Sequence, residues 1–427
     1  MLIGQDDFFH LTYCTKVHPG CGWDELFGNL RALVPQLKAR LSPTRPFGLG
    51  LRLSNDESLE LLAGDRLARF QEFLTRHRLY VFTLNGFPYG TLAGQPVKER
   101  IFAPDWRAAQ RLDYTLRLVD ILARLLPPGL EGGISTLPLS YKPWITADDD
   151  VALAQITDNL VRLTARLIEV EEETGKLIHL DLEPEPDGLL ELSGEVVDFF
   201  QRWLLPRGAP QLARTAGFRE DEARRRLLKH LRVCLDTCHL AVAWEDPAAA
   251  LNSLAQNGIR VGKVQITAGL EAMVPANGRP RGPLARQLTP FTRSPYLHQV
   301  IAREDGGRRR RFPDLWQALA LMDHCPQGQW RIHYHMPLFV ERYGALTSTR
   351  EATREVLRLL RAQRFCPHLE IETYTWEWLP AELKRDLLES LTAEYLWVLE
   401  AMGGNKGYQP SAFSGQPRPD IGEAGEL

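Results

Sequence analysis

Nowhere in the 427 residues does an uninterrupted apolar run reach the ~18 residues of a membrane span, so no transmembrane helix is expected. Charge of one sign is lacking too: 51 Lys and Arg against 54 Asp and Glu leave a net charge of -3. No global basic field advertises nucleic acid as a partner. Cysteine is sparse, and Cys14, Cys21, Cys234, Cys238, Cys325 and Cys366 form neither a CxxC pair nor a dense framework. They read as reduced thiols, which points to the cytoplasm. The opening MLIGQDDFFHLTYC has no basic stretch followed by an apolar run, so no secretory signal is expected. What is present is an ordinary globular composition, 44% hydrophobic and 25% charged. The chain is long enough to bury a full core, as one large α/β domain with insertions.

Short strand-like runs lie at Leu11 to Lys16, Phe47 to Leu53, Leu79 to Leu84, Ile134 to Leu137, Leu177 to Leu182, Leu231 to Leu235, Val261 to Thr267, Arg331 to Met336 and Leu369 to Trp376. Helical patterns separate most of them; from Trp23 to Leu41, Trp23, Leu26, Phe27, Leu30, Val34 and Leu37 recur at helical spacing. This alternation predicts a parallel sheet with helical crossovers, closed as a (β/α)8 TIM barrel. Nine segments are one too many for such a barrel. The first, the Val261 and the Arg331 segments are candidates for the extra strand, and the sequence does not decide among them.

From about 269 to 312 the rhythm breaks. Pro and Gly dominate, and then HQVIARE-DGG-RRRRF reads as a β-hairpin with Asp305 and Gly306 in its turn. The insertion, with the loop Asn85 to Gly90, is expected to cover the C-terminal mouth of the barrel. The run Arg308 to Arg311 reads as a solvated sheet edge rather than a phosphate site. The barrel domain is expected over 1–402, and the Gly/Pro-rich tail 403–427 is expected to be disordered.

The chemistry gathers at three strand ends. Arg232-Val-Cys-Leu-Asp-Thr-Cys-His239 is an apolar strand running into a loop that carries Asp236 and His239. Asp236 could equally cap the following helix. Glu183 closes HLDLEPEP, and Glu372 sits in HLEIETYTW. Period-two alternation puts His179, Asp181 and Glu183 on one face of their strand, and Glu370 and Glu372 on one face of theirs. Carboxylates aimed into one space repel, and a divalent cation resolves the conflict. Oxygen donors with one or two imidazoles suit Mn, Zn, Mg or Fe. His18 and Asn85 lie at loop mouths where they could contact a substrate, and His298 could reach the site from the insertion.

The order of a Glu-ending fifth strand, an LDxxH sixth strand and an IE-ending last strand resembles the xylose isomerase-like TIM barrels. More closely, LTYCTKVHPG (11–20), VFTLNGFPYG (81–90), LDLEPEP (180–186), CLDTCH (234–239), YLHQVIAR (296–303) and LEIETYTW (369–376) resemble the EboE metabolite traffic proteins of the bacterial ebo cluster. The superfamily resemblance implies metal ligands at Glu183, Asp236 and Glu372, with a His on the seventh strand. If Val261 to Thr267 is that strand, Gln265 stands where the His belongs; if the Arg331 segment is, His333 or His335 fills the place. The resemblance further implies Glu183, Glu372 and His239 as catalytic groups around a divalent metal (Mn, Zn or Mg). His18, Asn85, Gln265, His298 and His333 are then the substrate contacts. The implied activity is sugar isomerase- or epimerase-like proton transfer on a secondary-metabolite precursor. A non-catalytic hand-over protein and a metal-dependent phosphoester hydrolase are the alternatives. Implied partners are a small-molecule metabolite and other proteins of the same gene cluster.

Overall fold

The computed structural model describes residues 1–4, 6–90, 98–145, 148–276 and 279–404. The 403–427 tail therefore lies, from 405 onward, outside the described residues. Eight strands run parallel around a barrel: Phe9–Tyr13, Phe47–Arg52, Leu79–Asn85, Gly132–Thr136, Ile178–Leu182, Leu231–Asp236, Val261–Ile266 and His368–Ile371. From the second strand on, each pairs with the next in sequence, and the last pairs with the first. A parallel bridge from Cys14 to Gly50 closes the ring between the first two strands. The short strand Leu2–Ile3 pairs antiparallel with the first, on the edge away from the last strand. Both faces of most barrel strands are buried, as expected where helices cover a parallel sheet. The chain is a (β/α)8 barrel.

Between the seventh and eighth barrel strands the chain builds a second, antiparallel sheet. Its strands lie in the order Arg309–Phe312, Val300–Glu304, Gly328–Ile332, Leu270–Val274, Leu346–Ser348 and Arg342–Tyr343. The expected hairpin is there, Val300 opposite Phe312 and Arg303 opposite Arg309. The excursion, however, runs on to Ser348, past the 269–312 read from the sequence. The Arg331 segment is one of its central strands, so the seventh barrel strand is Val261–Ile266 and Gln265 sits near its end. Period-two alternation is the same in either sheet, and only the antiparallel partners Val300–Glu304 and Leu270–Val274 distinguish them.

This second sheet has its own apolar core, with Trp330, Tyr334, Phe291 and Leu288 buried in it. It docks on the barrel's C-terminal face through a clamp. Trp244, just past the helix Thr237–Val242, lies between two guanidinium groups, Arg303 at 3.9 Å and Arg331 at 3.7 Å from its ring centre. Its indole N–H donates to the Ile301 carbonyl at 3.1 Å, and Arg331 donates to the Ala241 carbonyl at 2.8 Å. The arginine run is only partly solvated. Arg308 is open to water, but Arg309 donates to the Ala243 and Trp244 carbonyls and Arg311 pairs with Glu191. Two cation–π contacts at a partly desolvated site are worth roughly 1–3 kcal/mol together. Trp244→Ala is therefore expected to speed amide exchange in Val300–Glu304 and Gly328–Ile332 about tenfold, leaving the barrel strands protected. Exchange unchanged in those strands would show that the clamp does not hold the sheet down.

The barrel interior is polar to an unusual depth. Lys263 and Glu370 are fully buried and 2.6 Å apart, and Lys263 also donates to Ser135 Oγ at 2.8 Å. Below them His179 Nδ1 lies 2.6 Å from Asp181 Oδ1. Two glycines make the room: a Cβ at Gly50 would stand 2.1 Å from Glu370 Oε1, and one at Gly262 would stand 1.9 Å from Asp181 Oδ1.

Candidate metal centre at the barrel mouth

Asp236 ends the sixth strand and does two jobs with one carboxylate. Its Oδ1 caps the helix Thr237–Val242, accepting from Cys238 N at 2.7 Å, His239 N at 3.1 Å and Thr267 Oγ1 at 2.5 Å. The cap uses Oδ1 alone; the Gln265 amide reaches Oδ2, which faces the mouth. His239 Nε2 lies 3.9 Å and His335 Nε2 4.0 Å from that oxygen.

His333 and His335 reach the mouth on the stretch that leaves the central insertion strand. His333 N donates to the Gln299 carbonyl and Met336 N to the Ala268 carbonyl, which pins this stretch just beyond the seventh barrel strand. Two insertion residues thus supply imidazoles near the end of the seventh strand, which carries Gln265.

The tautomers follow from the partners. His239 Nδ1 faces the Pro184 carbonyl at 2.9 Å, His333 Nδ1 faces Gln299 Oε1 at 2.9 Å, and His335 Nδ1 faces the Glu372 carbonyl at 2.6 Å. All three partners are acceptors, and Gln299 is oriented by donating its own amide to Pro186 O at 3.0 Å. Each Nδ1 therefore carries the hydrogen, and each Nε2 presents a lone pair. Those lone pairs converge: His239 Nε2 and His333 Nε2 are 3.0 Å apart, and His335 Nε2 is buried with no hydrogen-bond partner. Lone pairs at that distance repel unless a proton or a cation lies between them. Ligand atoms of His239, His333 and His335 lie within 4.8 Å of one another, as do those of Glu183, Asp236 and His239. Imidazoles whose far nitrogen donates to a carbonyl are the usual supported form of a metal ligand. The donor set fits a divalent cation.

The titration behaviour fits as well. Burial pushes the three imidazoles down, His239 to about 4 and His333 and His335 well below the usual value, so they stay neutral. Burial also pushes the carboxyls up. Glu183 rises well above the usual range, with repulsion from Glu372 and Asp236 adding to desolvation. Asp236 rises to about 7 against the opposing effect of its donors, Glu372 to about 7 and Glu185 to about 8. Neutral imidazoles beside carboxyls that resist ionisation make a pocket short of positive charge.

Glu372 stands apart from the converging ligand atoms. Its Oε1 accepts from Asn85 Nδ2 at 3.0 Å. With its amide turned to satisfy its neighbours, Gln265 donates to Glu183 Oε1 at 2.7 Å and Asp236 Oδ2 at 3.2 Å, and accepts from Asn85 Nδ2 at 3.3 Å. One network thus joins Glu183, Asp236, Gln265, Asn85 and Glu372. His298 sits behind the site, its Nδ1 donating to the His333 carbonyl at 2.8 Å. His18 lies away from the imidazoles, hydrogen-bonded through Nε2 to the Tyr13 hydroxyl at 2.8 Å.

Lys263, Gln299 and Tyr374 carry parts of this arrangement that the strand-end reading passed over. Lys263 alternates with Gln265 on the seventh strand, so period two alone points it into the barrel. It places a cation beneath carboxylates read from the sequence as having none nearer than Arg232. Arg232 itself is tied to Glu131 at 3.1 Å.

No family model matches the chain, and no curated protein is similar to it. Solved structures are. A D-tagatose 3-epimerase-like protein is 10% identical with a TM-score of 0.45, over 92% of this chain and 98% of that one. An IolI protein with a bound zinc atom is also 10% identical, with a TM-score of 0.44 over the same shares. A xylose isomerase domain protein from Alicyclobacillus acidocaldarius is 13% identical, with a TM-score of 0.39 over 92% of this chain and all of that one (100%). At such identities no residue role passes from them, and the barrel stands on its own strand order. Among the described residues no helix is long and apolar enough to cross a membrane.

Proposed function

We propose that the barrel mouth is a divalent-metal centre held by His239, His333, His335 and Asp236, with Glu183 beside it, and that it converts a small oxygen-rich metabolite by moving a proton between neighbouring carbons. The observation that carries the reading is the convergence of three lone-pair nitrogens, two of them 3.0 Å apart, with those of His239 and His335 3.9 and 4.0 Å from Asp236 Oδ2. A set this rich in imidazole favours zinc over magnesium. Such an ion supplies Lewis-acid polarisation of a carbonyl or hydroxyl oxygen.

The chain's own residues supply the proton chemistry. Glu372, with a pKa of about 7, can both take and give a proton near neutral pH, and Asn85 fixes its Oε1. Glu183 is oriented by Gln265 on the other side of the same network. The ligand role first considered for Glu372 passes to His239 and His333 in this reading, since its carboxylate is engaged by Asn85. A substrate is sought among aldoses, ketoses and polyol acids, with carbon-bound deuterium gained in heavy water as the readout. Glu372→Gln is expected to slow that exchange about 100-fold or more at unchanged metal content. Equal exchange in the variant would remove Glu372 from the chemistry.

A second reading is favoured by Gln265, which cross-links Glu183 and Asp236 with a neutral amide. It is that the centre binds a metabolite and hands it on without turnover, as the ebo-cluster resemblance implies, with proteins of that cluster as partners. Saturable binding with no exchange across the panel would select this reading.

A further inference from the structure

We propose that the cavity beside the metal centre is an anion-binding subsite in which Lys16 takes the carboxylate or phosphate of the metabolite; this rests on the function proposed above and names its substrate class. The cavity has a volume of about 230 Å³ and is lined by Lys16, His18, Arg52, Tyr296 and Trp378, among others. None of the converging imidazoles or carboxylates lines it. It adjoins them through one layer of aromatic rings. Tyr296 packs edge-on against Tyr374 with centres 4.8 Å apart, and the Tyr374 ring lies 4.5 Å from His335.

Lys16 stands at this partition. Its Nζ lies 4.2 Å from the Tyr374 ring centre and 5.2 Å from that of Tyr296. Among the described residues no carboxylate lies within ion-pair distance of it, whereas Arg52, the other basic side chain lining the cavity, is paired. Arg52 pairs with Glu57 at 3.1 Å and donates to the Pro88 and Gly90 carbonyls. Glu57 in turn accepts from Ser54 N at 2.6 Å in a capping box. Glu377 is on the exposed rim. A half-buried ammonium resting on two π faces still lacks an anion. Its field reaches inward as well: burial raises the Glu372 and Glu185 carboxyls, and Lys16 opposes that rise. An anionic end at Lys16 puts the hydroxyl or carbonyl oxygens of the same molecule at the centre when the Tyr296–Tyr374 layer between them opens. Trp378, 37% exposed at the cavity wall, offers it an apolar face.

The experiment is calorimetric titration of the zinc-loaded full chain with gluconate, glycerol 3-phosphate and the neutral polyol glucitol. Either acid, or both, is expected to bind at least tenfold more tightly than glucitol, and the two acids distinguish a carboxylate from a phosphate. Lys16→Met keeps the stem over Tyr374 and is expected to erase that preference, while Lys16→Arg restores most of it. Zinc content of both variants should equal that of the wild type. Acids that bind no better than glucitol, or a preference that survives Lys16→Met, would overturn the subsite. Failure of the wild type to hold zinc would instead overturn the metal centre.

Discussion

Lys263→Met should destabilise the fold by about 3–5 kcal/mol, the cost of removing one partner from a buried ion pair. Lys263 and Glu370 have no exposed surface, and among the described residues each is the other's ion-pair partner, at 2.6 Å. Burial disfavours the ammonium, yet the Glu370 charge beside it holds the Lys263 pKa above the usual lysine value. Met fills much of the volume but leaves the Glu370 carboxylate facing Gly50, where a Cβ would already be 2.1 Å away and where no replacement donor can enter. Urea unfolding measures the loss. The double variant Lys263→Met, Glu370→Leu should recover most of it, since the uncompensated charge goes with its partner. A loss below ~1 kcal/mol in the single variant would contradict this account of the barrel centre.

The second large effect concerns the insertion. His333→Ala with His335→Ala should lower metal affinity by on the order of 1000-fold or more. A structural zinc site of four ligands is worth roughly 10–16 kcal/mol, and two of the proposed four are removed. The fold should survive, because both residues lie in a stretch outside any strand and the barrel core is formed without them. Competition with a chromophoric chelator reads the affinity. A double variant that competes as well as the wild type would place the ion elsewhere in the mouth, on Glu183 and Asp236 alone.

The barrel and much of its mouth were legible in the sequence because a strand end is a local feature. Period two aims Glu183, Asp236 and Glu372 the same way, and their mutual repulsion asks for a cation without knowledge of the fold. The seventh-strand position was not legible. Arg331 to Met336 and Val261 to Thr267 alternate alike, and only pairing partners tens of residues distant decide which one joins the barrel. The histidines on the losing segment still reach the site, by a loop from a different sheet, and no periodicity signals such a route. Lys263 lies two positions before Gln265 on the same face, below the strand end where the carboxylates gather. The tautomers were beyond reach, since the Pro184, Gln299 and Glu372 acceptors that set them come from three separate segments.

Elemental analysis of the isolated full chain tests the central claim most directly. The account predicts about one divalent ion per chain, zinc foremost, and almost none in the His333→Ala, His335→Ala variant isolated in parallel. Wild-type chain that holds no ion even after incubation with zinc, or a variant that retains the full equivalent, would contradict it.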